Sequence, residues 1–382
     1  MRVVILVFFA AIFLGPYGFI FYEKLHLIRV FPLLIILILF YVNVKINKLG
    51  QFFIAFYLIY IVYTILISLL HLDYILANDI VNLAVLLLYV IAIILLISYN
   101  KELFLSQLTG MCWLFIIVSI PIIIFELLTW EHLSLSGMAN PLRSDFSYFH
   151  LPTVFYTNPN DLAFVFVLVT MFLLSREKRN LVVYLLILLC FTVTYMTESR
   201  LAFFGFAIFL FFYSDFLKFK SLIFIAFLLF GIVLIFFMYG DFDGSRLFTF
   251  EFSKEGSLYR RYYLYLEGLK SVSHNFGTGF GVGGYHHYYS SVVNSWDIST
   301  DTDPHNFFIE LLINSGLYVA VLYALVQLGI LVGMLRLKVE KLLLVQFIVY
   351  HILLLSSSSS LFLWPHYLFY FVSIFQIKKH ED

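Results

Sequence analysis

Charge is what this sequence lacks most. Only 12% of its 382 residues are Asp, Glu, Lys or Arg, against roughly 25% in an ordinary soluble domain, and that excludes a soluble globular chain. The 23 basic and 23 acidic residues cancel, so there is no bulk attraction to a polyanion and no nucleic acid is expected as a partner. Cysteine is almost missing. Cys112 and Cys190 both sit in apolar runs, where they read as small hydrophobes in helix packing; two such residues supply neither a disulfide framework nor a metal-type spacing. No internal repeat is visible.

What fills the chain instead is apolar: 63% of residues are hydrophobic and 20% aromatic. Repeated runs are long enough to cross a hydrocarbon core of about 30 Å, which predicts an all-α polytopic membrane protein. Twelve spans are expected, at 3–22, 30–44, 51–70, 79–98, 104–128, 160–174, 181–196, 200–214, 221–239, 312–335, 342–356 and 361–377. The whole of 1–382 reads as one integral membrane domain. The first run has no small-residue cleavage site after it and reads as an anchor.

Lysine and arginine set the expected orientation. With the N-terminus inside, 14 of the 23 basic residues fall in cytoplasmic segments, and the short outer loops keep only Lys24, Arg29, Arg143 and Arg200. Both termini are then cytoplasmic. Two segments too long for simple turns face outward: a loop at 129–159, and a large loop at 240–311 with short helices. Long loops in compact proteins carry function more often than short ones, so chemistry is expected on the outer face.

Even-numbered spans start at that face, and three of them start with polar sequence. Span six opens with Asn158-Pro159-Asn160-Asp161, span eight with Thr197-Glu198-Ser199-Arg200, and span ten follows Asp303-Pro304-His305-Asn306. Asn158 with Pro159, and Asp303 with Pro304, read as an N-cap followed by proline at the first helical position. Asp161, three residues after Asn158, resembles a capping box. On this reading His305 lies in a first helical turn, where the dipole disfavours imidazolium and keeps a neutral ring able to accept a proton. Caps alone account for the Asn, Asp and Pro. They account neither for His305 nor for an arginine at the mouth of span eight, for which Glu198 is a ready partner.

The large loop contains Ser257–Leu269, "SLYRRYYLYLEGL", whose spacing suits an amphipathic helix along the interface. Arg260 and Arg261 sit near its start, where an anion is favoured. Gly277, Gly279, Gly281, Gly283 and Gly284 follow. No strand precedes them, so they are no dinucleotide fingerprint, and tight turns near a ligand are expected. His286 and His287 are adjacent and cannot share a helix face as metal ligands do; with only His274 nearby, no metal is expected.

In chain order, "YTNPNDLAF" at 156–164, "TESR" at 197–200, "SLYRRYYLYLEGL" at 257–269, "FGTGFGVGGY" at 276–285 and "PHNFFIELLINSGL" at 304–317 resemble the bacterial O-antigen polymerase and O-antigen ligase superfamily. It includes polymerases of capsule and exopolysaccharide. The resemblance covers roughly 155–320. It implies an inverting, GT-C-like glycosyltransferase of the bacterial cytoplasmic (inner) membrane, with a polyprenyl-pyrophosphate-linked oligosaccharide as donor and a glycan or lipid as acceptor. It implies no cofactor, nucleotide sugar or metal, and chain-length regulator and flippase proteins as partners. The family's arginine after its Thr-x-Ser pattern falls on Arg200, its second arginine on Arg261, and its histidine on His305. Tyr265 stands where tryptophan is usual and Gly268 where alanine is usual, which leaves Arg260 beside Arg261 as a candidate.

The expected chemistry follows. Arg200, Arg261 and Arg260 would bind the pyrophosphate and His305 would act as the base toward the acceptor hydroxyl. Asn158, Asp161, Glu198, Asn306, Gly279 and Gly281 would support the site, and Tyr285, Tyr288 and Tyr289 would line the sugar path. Two rival readings stand beside the polymerase. One is a ligase that moves finished glycan onto a lipid or wall acceptor. The other is a transporter or lipid-glycan flippase, against which stands the placing of ionisable residues mostly at span ends.

Overall fold

A computed structural model describes residues 1–14, 27–71, 77–129, 131–132, 151–156, 158–176, 181–213, 257–274, 276–284, 288–289, 306–355 and 364–376. Among the described residues 85% are helical and none is in a strand. The helices are α1 (Arg2–Phe13), α2 (Leu27–Tyr41), α3 (Lys48–Leu69), α4 (Ala77–Tyr99), α5 (Lys101–Thr129), α6 (Pro159–Arg176), α7 (Leu181–Met196) and α8 (Arg200–Tyr213). They are followed by α9 (Ser257–His274), α10 (Phe307–Arg336), α11 (Lys341–Leu353) and α12 (Trp364–Phe375).

Every expected span has a helix at its place except 221–239, which lies outside the described residues. Among the described residues, five helices are long and apolar enough to cross a membrane: α3, Asp79–Tyr99 of α4, α5, α6 and α10. Helices α1, α7, α8, α11 and Val30–Tyr41 of α2 are apolar but shorter. The described residues are those of an all-helical, polytopic membrane protein; the number twelve rests on the sequence pattern. Helix α9 is of another kind, with buried and exposed positions alternating at helical spacing, as an amphipathic helix requires.

The chain divides into two compact units. The first contains residues 1–111, 251–333 and 354–375, and the second contains 112–250, 334–353 and 376–382. In the first unit α4 packs against α2, α3 and α12. Large rings interlock there, with Tyr89 edge-on to Trp364 at 5.3 Å and Phe53 edge-on to Phe371 at 5.5 Å between ring centroids. Lys101 Nζ donates to the Phe375 carbonyl at 2.6 Å, a cation on one of the open carbonyls at the end of α12.

In the second unit α6 is the core. Every residue from Leu162 to Leu174 is buried, as expected of a helix that is apolar all round and surrounded by others. It packs against α7, α8 and α11. Gly205 of α8 lets α11 come close, since a Cβ there would lie 3.2 Å from Leu353. The links from α6 to α7 and from α7 to α8 are short, so successive helices run antiparallel. The N-termini of α6 and α8 therefore share one end of the unit.

Candidate functional site

At that end, α6 starts as the sequence predicts. Pro159 is its first residue and Asn158 caps it, the side-chain oxygen accepting from the Asn160 N–H at 2.8 Å. The segment before it is buried, although it is a connection: Leu151, Thr153, Val154 and Tyr156 are all inaccessible. Burial holds the Tyr156 hydroxyl well above its usual pKa, and the charge of Asp161 adds to that.

What fixes this segment escaped the sequence reading. Glu126, near the end of α5, is 1% exposed. Its Oε2 accepts from the Thr153 N–H at 2.8 Å and the Val154 N–H at 3.0 Å, and its Oε1 accepts from Thr153 Oγ1 at 3.4 Å. His132 Nδ1 lies 3.1 Å from Thr153 Oγ1 and 3.7 Å from Glu126 Oε1. Val154 has φ +55°, a left-handed conformation that a β-branched residue adopts only under constraint. Here the constraint is a buried carboxylate gripping two consecutive amides.

The Thr197–Arg200 stretch forms the turn between α7 and α8. The Ser199 N–H bonds the Thr194 carbonyl and the Glu198 N–H bonds the Tyr195 carbonyl, the paired bonds of a Schellman ending. That ending needs a left-handed residue, usually glycine; here Glu198 takes it, at φ +51°. Arg200 follows as the first residue of α8 and is half-buried. A cation at a helix N-terminus opposes the dipole. The sequence thus retains two charged side chains where backbone physics prefers glycine and an anion.

In the first unit, Arg261 lies in the first turns of α9 and is half-buried; among the described residues it makes no ion pair. Arg260 is on the same helix, its side chain outside what is described. One face of α9 joins a core cluster of Leu264, Tyr288, Tyr289 and Ile313, with Tyr265, Phe280 and Ile309 against it. Tyr288 and Tyr289 are therefore core residues and do not line a path. Tyr289 donates to the Leu264 carbonyl at 2.6 Å and Tyr288 to that of Glu267 at 3.2 Å. Burial and the Glu267 charge push the Tyr288 hydroxyl up to about 12, so it is neutral at physiological pH. Tyr285 lies outside the described residues. Gly268 has a packing reason: a Cβ there would lie 2.6 Å from Ile309 and 3.0 Å from the Tyr289 hydroxyl.

Helix α10 corrects one expectation. Its described start is Phe307, and its cap is Asn306, whose Oδ1 accepts from the Phe308 N–H at 3.0 Å and the Ile309 N–H at 3.2 Å. Asp303 is not the cap, because Asn306 satisfies the orphan donors nearest the apolar run. His305 lies outside the described residues; in the chain it precedes the cap, so the first-turn argument for its pKa does not apply. The Phe307 N–H bonds the Leu354 carbonyl and Tyr265 Oη bonds that of Leu355 at 3.4 Å. These bonds and the shared core bring α9, with Arg261, against the start of α10. Glu310, one turn into α10, is 2% exposed.

The glycine-rich stretch serves α10 directly. At Gly316 the helix breaks, with φ +79° and ψ 176°. A broken helix in apolar surroundings must find partners for the freed backbone groups. Phe280 and Gly281 donate to the carbonyls of Ile313 and Asn314, and the Leu317 N–H bonds the Gly277 carbonyl. The two backbones approach so closely that a Cβ on Gly279 would lie 2.6 Å from Gly316 N. Gly279 and Gly281 thus have a structural role against the backbone of α10.

Arg200, Glu198, Asn158 and Asp161 belong to the second unit; Arg261, Gly279, Gly281 and Asn306 belong to the first. No curated protein matches the chain. The model of the O-antigen ligase family matches residues 185–324, a stretch that includes Arg200, Arg261 and His305 and leaves the 156–164 motif outside it. That match supports the resemblance of the chain to the O-antigen polymerase and ligase superfamily.

Proposed function

We propose that the protein is a polysaccharide polymerase that transfers a glycan from a polyprenyl-pyrophosphate donor to a sugar hydroxyl on the outer face of the cytoplasmic membrane, both termini being cytoplasmic. The observation that carries this reading is the O-antigen ligase match over 185–324, which takes in both outward arginines and the histidine. In a single inverting displacement the acceptor oxygen bonds the anomeric carbon as its bond to the pyrophosphate oxygen breaks. His305 takes the hydroxyl proton, a step worth roughly 10²–10⁴-fold in rate. Arg200 and Arg261 hold the departing pyrophosphate by charge-assisted, partly bidentate contacts, with Arg260 as the alternative to Arg261. Such preorganised donors supply several kcal/mol where water is partly excluded. Asn158, Asp161, Glu198 and Asn306 support the helix starts and turns of the site. Flippase and chain-length proteins act before and beside it.

His305→Ala abolishes polymer while the protein accumulates in the membrane; normal chain length in that variant removes the base. Arg261→Lys retains charge but loses the planar fork, so polymer falls severely; wild-type polymer there rules out a bidentate grip. The second reading is a ligase, favoured by the description of the matching family. A deletion strain separates the two. Acceptors bearing single repeats indicate a lost polymerase, and accumulated lipid-linked polymer a lost ligase.

A further inference from the structure

We propose that Glu126 is a positioning residue for glycan transfer, acting through the buried turn at Thr153–Val154 on the start of α6. The inference rests on the function proposed above, in which Asn158 and Asp161 belong to the site. Glu126 is a carboxylate withdrawn from solvent at the end of a membrane helix, a costly placement unless its oxygens are engaged. They are engaged by consecutive main-chain amides 27 and 28 residues further along the chain. The Thr153 hydroxyl donates to the same carboxylate, so its lone pair can accept from His132 Nδ1–H.

The grip forces Val154 into a left-handed conformation while its side chain is fully buried. A turn needed only to cross from one helix to the next has no reason to put a β-branched residue there; glycine or asparagine would serve. The carbonyl of Thr153 then accepts from the Tyr156 N–H, and two residues later Asn158 caps α6. The bonds from Glu126 to Thr153 and Val154 are short and buried, and Tyr156, which bonds back to Thr153, is buried too. The direction and height of that start are therefore set by one side chain on α5.

The test uses the full chain in membranes and lipid-linked glycan extracted from a strain deleted for it. Glu126→Ala is expected to lower kcat about 100-fold, the scale of a misplacement near 1 Å, with KM within about threefold and an unchanged membrane level. Glu126→Gln, whose amide oxygen can still accept both N–H groups, is expected to stay within about threefold of wild type in kcat. Wild-type kcat in the Ala variant overturns the proposal, as does a loss that only follows its membrane level, or a Gln variant as poor as Ala. Should the Ala variant fail to accumulate, Val154→Gly decides. It leaves Glu126 in place but frees the turn, and kcat is expected to fall about tenfold, whereas wild-type kcat overturns the proposal. Arg200→Ala and His305→Ala run alongside: activity in those variants refutes the parent reading and leaves the Glu126 outcome separately legible.

Discussion

Two turns in this molecule solve the same problem with opposite chemistry. In the first unit the glycine-rich segment at 277–284 is fixed by backbone against backbone, its N–H groups filling the break in α10 at Gly316. In the second unit the turn at 153–154 is fixed by one buried side chain, Glu126. The glycine turn has positive φ at residues that adopt it freely; the Glu126 turn has it at valine, and the neighbouring α7–α8 turn at glutamate. Glycine is used where two backbones must meet. A strained side chain is retained where its chemistry matters, at a cost of about 1–3 kcal/mol per residue.

That contrast can be broken by substitution. The largest effect is expected at Gly279→Ala, because the new methyl would meet backbone that cannot move aside. A loss of about 3–4 kcal/mol, seen as a lower thermal midpoint in detergent, is the expected result. Glu126→Ala leaves two buried amides without their acceptor and should cost about 2–4 kcal/mol in the same measurement. Asn306→Ala removes a cap and should cost about 1 kcal/mol. The smallest effect has the opposite sign. Glu198→Gly places glycine at the left-handed end of α7 and should raise stability by about 0.5–1 kcal/mol. If the glutamate serves the site, transfer falls as stability rises; a stabilised variant with full transfer makes Glu198 a turn residue only.

Much of the fold was legible along the chain. The apolar runs mark the helices of both units, and Asn158-Pro159 marks the start of α6, because these signals are local. The cap of α10 was misplaced by three residues, since Asp303-Pro304 and Asn306 both carry capping chemistry and only the packed helix decides between them. The Glu126 clasp and the partners of Gly279 were not legible, because each depends on residues 27 or more positions away. Tyr288 and Tyr289 misled for a related reason: a tyrosine that stacks on a sugar and one that is buried under a helix look alike in sequence. The O-antigen motifs pointed to the family without depending on any of these contacts.

The central proposal is that Arg200 and Arg261 both bind the donor's pyrophosphate. A double-mutant cycle tests it most directly, with Arg200→Ala, Arg261→Ala and the pair compared by kcat/KM for lipid-linked glycan. Groups that share one ligand charge couple, so the double variant should be less impaired than the product of the single losses, by a coupling of about 1–3 kcal/mol. Losses that multiply independently, to within about 0.5 kcal/mol, would place the two arginines on separate tasks and contradict the account.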